Sequence, residues 1–319
     1  MRIAVMGAGA VGGYFGARMA ALGALPEATP GTRGNDVEVH FVARGRHLQA
    51  IRTNGLRIDS HASPLHLTAI RATDDPAEIG PVDIVLFAVK LWDTESAAEA
   101  CRPLLKPGTL VISLQNGVTG IDTLCRVLGE EHVGGGVAHI AATIAEPGVI
   151  RHTGALARIT YGELNGRVTP RVAAFHEIAA RAGFEAKLSD SILRAIWEKF
   201  AFLAPFSGVT ALTRQPAGVI RRVPDTRALF LDAVAEVARL ARAHDVDLGT
   251  DIVTRIEALL SGLVPEMKSS MLNDLERGGR LELPWLSGAV VRLAAEVGVP
   301  TPVHRVIAAA LAPYADGPP

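Results

Sequence analysis

The stretch RIAVMGAGAVGGYFG, residues 2–16, decides how the first part of the chain folds. Its first five residues favour a β-strand, and a Gly-x-Gly-x-x-Gly run then leads into a helix expected over 13–22. In such a unit the glycines permit a tight turn, a close approach of backbone amides to a pyrophosphate, and close packing of helix on strand. A glycine-rich run alone is only a turn, but the flanking strand and helix favour a dinucleotide-binding loop. The loop consists of Gly7, Ala8, Gly9, Ala10, Val11 and Gly12.

The residues after this loop alternate β-rich runs with helix-like runs, which is typical of βαβ units on a parallel sheet. We expect strands over 2–6, 37–42, 82–89, 109–114, 132–138, 157–162 and 184–187. The run VDIVLFAV at 82–89 is apolar on both faces, as expected of a central strand covered by helices. Residues 25–36 are rich in Pro, Gly and Thr, so an exposed loop insertion is expected there.

From about residue 189 the pattern changes, because apolar residues recur at helical spacing over segments such as 225–244 and 251–263. The sequence therefore predicts an α/β protein in two parts. An N-terminal Rossmann-type domain with a parallel sheet covers residues 1–187, and an all-α C-terminal domain covers residues 188–319.

Composition excludes several classes of protein. Of the 319 residues 49% are hydrophobic and 20% charged, with a net charge of -1, as in a globular protein that can bury two cores. With this charge balance, the sequence lacks the excess of Lys and Arg that is typical of proteins that bind nucleic acid or an anionic membrane. The apolar segment 3–25 holds Arg18 and several glycines, so it is no membrane anchor, and we expect a cytoplasmic protein. Cys101 and Cys125 belong to no metal-binding pattern, so no metal is expected.

Polar residues follow three of the expected strands. Arg44 stands where an NAD-selective fold places an acidic residue, and its planar guanidinium fits a 2′-phosphate, which favours NADP. The alternative is a solvated charge at a strand end. Lys90 and Asn116 each follow a strand, and open α/β sheets bind ligands beyond the carboxyl ends of their strands. Asn116-Gly117 is also a common turn sequence, so both interpretations stay open.

Taken in order along the chain, several motifs resemble the ketopantoate reductase (2-dehydropantoate 2-reductase) family. They are MGAGAVGGYFGARMA, FVARG, FAVK, SLQNGV, IWEKF and KSSMLNDLERG with the LE that follows it. The resemblance covers essentially the whole chain. It implies NADPH-dependent reduction of ketopantoate to pantoate, on the route to pantothenate and coenzyme A. It also implies that this small 2-oxo acid lies in a cleft between a Rossmann domain and a helical domain.

The resemblance implies roles for individual residues. Lys199 in IWEKF matches the catalytic lysine, whose ammonium can stabilise an alkoxide and donate a proton. Glu282 in LELPW matches an acid that orients this lysine and binds a cofactor hydroxyl. Ser270 matches a serine that binds the substrate carboxylate. Lys90 and Asn116 match positions near the nicotinamide ribose and the reacting carbonyl, so both the cofactor and the substrate contact this region.

The chain departs from the family pattern after the lysine. The family has asparagines four and eight residues further on, which share one helix face toward the substrate. Here Leu203 and Ser207 stand at these positions, with Pro205 between them, and Ser207 is kept as a candidate for substrate binding. Leucine cannot hydrogen-bond a substrate hydroxyl, and the loss of one such bond costs a factor of about ten or more in discrimination.

Two alternatives follow from this departure. The first is an NADPH-dependent reductase of a different, more apolar 2-oxo acid. The second is a non-catalytic NADP-binding sensor. The retained lysine, acid and serine argue against this second alternative. The helical domain, rich in Ala, Val and Leu, could also supply the surface of a homodimer.

Overall fold

The structure is a computed structural model that describes residues 1–23, 37–61 and 63–318. The insertion expected at residues 25–36 lies outside the described residues. The chain divides into two compact units. The first consists of Met1–Asn116 and Gly120–Ile192, and the second of Gly117–Thr119 and Leu193–Pro319.

The described part of the first unit contains one sheet of ten strands. The strands are β1 (Arg2–Met6), β2 (Glu38–Val42), β3 (Leu56–Ser60), β4 (Leu65–Leu67), β5 (Arg71–Thr73), β6 (Ile84–Phe87), β7 (Leu110–Ser113), β8 (Val133–Glu146), β9 (Val149–Glu163) and β10 (Glu185–Leu188). Their order is β4-β3-β9-β8-β7-β6-β1-β2-β5, and β10 pairs with β9.

The centre of this sheet is parallel, as the sequence predicts. β1 lies between β2 and β6, and β7 continues the parallel sheet from β6 to β8. All four residues of β6 and of β7 are buried, which explains their apolar sequences. The α/β fold with a Rossmann-type sheet is therefore confirmed.

The side of the sheet that contains β8 and β9 differs from the prediction, because these two strands are much longer than the expected strands and run antiparallel. β9 also pairs in parallel with β3, from Val149 to His152, and with β10, from Arg158 to Tyr161. The short strands β3, β4 and β5 were not predicted. They contribute one edge that pairs antiparallel, β3 with β4, and one that pairs parallel, β5 with β2.

Five helices accompany the sheet in the described part of the first unit. They are α1 (Ala10–Gly23), α2 (Gly45–Asn54), α3 (Thr94–Cys101), α4 (Gly120–Leu128) and α5 (Pro170–Ala179). α1 is rich in glycine because it packs closely on the sheet. A Cβ at Gly16 would lie 2.6 Å from Cγ2 of Val5 and 2.7 Å from the ring of Phe41. The absence of a side chain at Gly16 therefore lets α1 lie close to Val5 of β1 and Phe41 of β2.

All the regular secondary structure in the described part of the second unit is helical, as expected. Its helices are α6 (Ile192–Thr213), α7 (Ala217–Arg222), α8 (Pro224–Ala243), α9 (Ile252–Gly262), α10 (Ser270–Glu276), α11 (Ser287–Val297) and α12 (Pro302–Leu311). They bury a core of their own, which includes Trp197, Phe200, Phe230, Leu240 and Val290. No helix in the described ranges combines the length and the apolarity that crossing a membrane requires.

A buried polar cluster joins three helices of this unit. The Glu236 carboxylate in α8 accepts the backbone N–H groups of Val303 and His304 at 2.7 and 3.0 Å, so it caps the start of α12. The His304 ring contacts the Ala233 carbonyl and the Ser287 hydroxyl. Burial lowers the pKa of His304 to about 4, so the ring is neutral and serves as a structural link.

Candidate active site

The glycine-rich loop follows β1 and is anchored on β2. The backbone N–H groups of Gly7 and Ala8 donate to the carbonyl of Val42 at 3.2 and 2.9 Å. Gly7 has φ +93°, and a Cβ there would lie 2.8 Å from the backbone N of Val89. A Cβ at Gly12 would lie 2.3 Å from the Gly7 carbonyl oxygen. Both positions therefore require glycine, for the turn and for the close packing that the sequence indicates.

Gly9 differs from its two partners in having space beside it. Apart from Gly9 itself and its two neighbours in the chain, no heavy atom of the described residues lies within 4 Å of the position that a Cβ of Gly9 would take. α1 begins at the next residue, and the first amides of a helix have no partner within it. A glycine with space around it at the start of a 14-residue helix fits the pyrophosphate of a dinucleotide. The individual contacts of residues 7–12 with a cofactor stay predictions.

Arg44 lies just beyond the carboxyl end of β2, at the residue before α2. Its backbone is extended, with φ -134° and ψ 160°, and its side chain is exposed and does not cap the helix. The strand that it follows is the neighbour of β1 and carries the carbonyl that anchors the glycine-rich loop. This is the edge at which a Rossmann-type sheet binds the adenosine ribose, so a 2′-phosphate role is compatible with the position of Arg44.

Lys90 and Asn116 lie beyond the ends of the adjacent strands β6 and β7. Lys90 is exposed, and its Nζ lies 5.4 Å from the centre of the Trp92 ring. Asn116 is half-buried. Gln115, which the sequence analysis did not single out, joins the two strand ends. Its side-chain amide donates to the Val89 carbonyl at 3.1 Å and contacts the Thr94 hydroxyl at 2.8 Å.

Lys199 and Glu282 come together in the second unit. Lys199 lies on α6 and is partly buried, whereas Glu282 precedes a short 3₁₀ turn at 283–285 and is 6% exposed. Burial lowers the pKa of Lys199 to about 8, although the charge of Glu282 acts in the opposite direction. An ammonium with this pKa releases a proton readily near neutral pH, as a general acid must.

The two serines of KSSML have different environments. Ser269 is buried, and its Oγ accepts the N–H of Leu272 at 3.0 Å, so it caps α10. The hydroxyl of Thr210 in α6 lies 2.7 Å from the same oxygen. Ser270 is the first residue of α10 and is exposed. The serine that is predicted to bind the substrate is therefore not needed as the cap.

The two positions that depart from the family pattern lie on α6, on either side of Pro205. Leu203 is half-buried and packs against the core of the second unit. Ser207 is fully buried, and its Oγ has no hydrogen-bond partner among the described residues. The role of Ser207 in substrate binding stays a prediction. No group of His, Cys, Asp or Glu suited to hold a metal occurs in the part of the chain that the structure describes.

Comparison with known proteins gives a consistent result. Residues 3–166 match the profile of the family described as ketopantoate reductase PanE/ApbA, and residues 191–315 match the profile of its C-terminal domain. The 2-dehydropantoate 2-reductase of Mesorhizobium japonicum is 32% identical over 97% of this chain and 96% of its own length.

Solved structures share the fold over nearly the whole chain. A PanE/ApbA family ketopantoate reductase from Ralstonia eutropha is 34% identical with a TM-score of 0.86, covering 99% of this chain and 98% of its own. A D-mandelate dehydrogenase, solved with NADH and anilino(oxo)acetate, has the same TM-score of 0.86 at 21% identity, covering 99% of this chain and 98% of its own. At that identity the second likeness shows the fold alone.

Proposed function

Because the chain belongs to the ketopantoate reductase PanE/ApbA family, an oxidoreductase family, we propose that it reduces 2-dehydropantoate to pantoate with NADPH. The product would serve the synthesis of pantothenate and coenzyme A. The relatives that carry the name 2-dehydropantoate 2-reductase support this substrate.

The observation that carries the proposal is the partly buried Lys199 in the second unit, on which the charge of Glu282 acts. A lysine whose pKa is about 8 is protonated at neutral pH and still gives up its proton readily. Reduction of a ketone needs such a group, because negative charge grows on the carbonyl oxygen as the carbon is reduced. A protein that only binds a nucleotide has no use for this arrangement, which speaks against the sensor alternative.

When bound, NADPH supplies the hydride that the carbonyl carbon accepts. Lys199 stabilises the growing charge on the carbonyl oxygen and then donates its proton, which completes the hydroxyl group. Glu282 orients Lys199 and binds a cofactor hydroxyl. Asn116 donates its amide to the carbonyl oxygen, and Ser270 binds the substrate carboxylate, with Ser207 as a further candidate for contact with the substrate.

The remaining site residues bind the cofactor in this proposal. The backbone of residues 7–12 holds the pyrophosphate, as the space at Gly9 supports. Arg44 pairs with the 2′-phosphate through its planar guanidinium. Lys90 and Asn116 contact the nicotinamide ribose.

The proposal includes a homodimer formed through the helical unit. Its support is a set of exposed apolar side chains in that unit, among them Leu259, Val264 and Val306. Light scattering of the purified protein tests it, because a monomeric mass would contradict this part of the proposal.

Steady-state oxidation of NADPH by the purified protein tests the function. Ketopantoate is compared with 2-oxo acids of similar size that lack its hydroxyl. We expect kcat/KM for ketopantoate to exceed that for the others by about tenfold, the contribution of one hydroxyl contact. Ser207 is the candidate for this contact, because Leu203 cannot make it. Preference for a hydroxyl-free acid would instead support the apolar-substrate alternative, which only Leu203 favours. Tight NADPH binding without turnover would support a sensor.

A further inference from the structure

His47, on the first turns of α2, joins two segments that are distant in the sequence. Its Nε2 lies 2.8 Å from the carbonyl oxygen of Ala8 in the glycine-rich loop. Its Nδ1 lies 3.1 Å from the backbone N of Gly148, in the turn between β8 and β9. All three residues belong to the first unit.

These two partners fix the protonation of the ring. A carbonyl oxygen only accepts a hydrogen bond, so Nε2 carries the hydrogen and donates it to Ala8. A backbone N–H only donates, so Nδ1 is the acceptor for Gly148. His47 is therefore neutral with its hydrogen on Nε2, and burial, which lowers the pKa of this ring, favours the same state.

The turn that holds Nδ1 is itself fixed to the sheet. The Gly148 carbonyl accepts the N–H of Arg57 at 2.9 Å, and Gly148 has φ +80°. A Cβ on Gly148 would lie 3.1 Å from Cβ of Ala50 in α2. Gly148 is thus fixed by the sheet and by α2, and its N–H fixes Nδ1 of His47. The ring therefore presents Nε2 to Ala8 in a fixed direction.

Both polar groups of the Ala8 backbone form hydrogen bonds. Its N–H donates to the Val42 carbonyl at 2.9 Å, and its carbonyl accepts from His47. The carbonyl of Ala8 and the N–H of Gly9 belong to one planar peptide and point in opposite directions. Because the Ala8 carbonyl is held toward α2, the N–H of Gly9 points away from α2. Gly9 is also the residue of the loop that has space beside it.

We propose that His47 is a positioning residue that holds the Ala8–Gly9 peptide in the orientation in which its amide binds the pyrophosphate of the cofactor. This inference rests on the NADPH binding proposed above. It assigns to one side chain the preorganisation of a loop whose other contacts are made by the backbone.

Two variants separate this role from a general effect on stability. In His47→Gln the side-chain amide can reach the position of Nε2 and keep the bond to Ala8. In His47→Asn the side chain is shorter and reaches only the position of Nδ1, so it keeps the contact with Gly148 and loses Ala8. The matched control is His66→Asn, because His66 on β4 also contacts a backbone carbonyl, that of Asn54, at 2.8 Å.

The dissociation constant of NADPH is measured by fluorescence titration, together with Tm and with kcat at saturating NADPH. We expect His47→Asn to bind NADPH about tenfold more weakly, the value of one lost hydrogen bond, and His47→Gln to stay close to wild type. His66→Asn should bind like wild type. The kcat at saturation should change little in all three.

Equal affinity of His47→Asn and His47→Gln for NADPH would overturn the inference, whatever their Tm values. So would weakening in His66→Asn that matches His47→Asn. A wild-type protein that does not bind NADPH would reject the proposed function itself, and with it this inference. The two failures are therefore distinguished by the wild-type titration alone.

Discussion

Glu282 and burial act in opposite directions on Lys199, and burial has the larger effect. The negative charge of Glu282 raises the pKa of Lys199, whereas the loss of hydration lowers it, and the result is a pKa of about 8. A lysine without such burial has a pKa of about 10.4. The pair therefore keeps the ammonium charged at neutral pH while it makes the group a better acid.

Replacing Lys199 tests whether it is the proton donor. Lys199→Ala should lower kcat by about a hundredfold or more, within the range that general acid catalysis contributes, while the dissociation constant of NADPH stays unchanged. Lys187→Ala is the control, because Lys187 is exposed on β10. Unchanged turnover in Lys199→Ala would remove this residue from the mechanism.

The pKa of Lys199 predicts the pH dependence of the reduction. The donor must be protonated, so kcat/KM should be level below about pH 8 and fall as the pH rises through that value. Glu282→Gln removes the charge that raises the pKa of Lys199, so the fall should move to lower pH. Stopped-flow or steady-state rates across the pH range measure both profiles. A shift to higher pH in Glu282→Gln would contradict the assigned interaction.

Arg44 should distinguish the two nicotinamide cofactors. Loss of a charge-assisted contact with the 2′-phosphate should weaken NADPH by at least about tenfold in Arg44→Ala, with little effect on NADH, which lacks that phosphate. Titration with both cofactors measures the ratio. Arg46→Ala is the control, because Arg46 is also exposed on α2. Equal losses for both cofactors would show that Arg44 does not contact the phosphate.

Gln115 should stabilise the first unit through the two strand ends that it joins. Gln115→Met has a similar shape but donates no hydrogen bond, so the Val89 carbonyl loses its side-chain donor. We expect the free energy of unfolding to fall by about 1–3 kcal/mol. Urea denaturation measures this change, with the exposed Gln49→Met on α2 as the control. An unchanged midpoint would mean that these contacts contribute nothing net.

Leu203 tests the departure from the family pattern. If this position faces the hydroxyl of ketopantoate, Leu203→Asn should raise the ratio of kcat/KM for ketopantoate over a hydroxyl-free acid by about tenfold. Leu212→Asn, on the same helix, controls for a polar group on α6. If the ratio stays constant, Leu203 does not meet the substrate hydroxyl.

Local patterns in the sequence predict the centre of the fold. Residues close together in the sequence determine the strand over 2–6, the glycine-rich loop and the apolar run over 82–89. The helical spacing after 189 predicts the second unit in the same local way. The pairing of β9 with β3 could not be predicted, because it depends on contacts between segments far apart in the chain. Short strands such as β5 lack a periodic pattern long enough to recognise.

The candidate site divides in the same way. Glycine is required at positions 7 and 12 for steric reasons, and the Gly-x-Gly-x-x-Gly pattern already predicts both positions. The bonds of His47 and Gln115 run from side chains to backbone atoms of distant loops, and no spacing rule encodes them. The sequence likewise does not tell which serine of KSSML caps α10. In the structure Ser269 caps it, and the Ser269 hydroxyl also contacts Thr210 in another helix.

The pairing of β9 has a consequence for the order in which the protein folds during synthesis. β3 bonds to β9, and Ser60 contacts the ring of His152 at a separation of 92 residues. On the ribosome, β3 and β4 therefore emerge long before the strand that completes their side of the sheet. Until then β3 presents an open strand edge, which is prone to pairing with other chains. The nascent first unit therefore exposes this edge of β3 for the whole time that the segment between β4 and β9 is being synthesised.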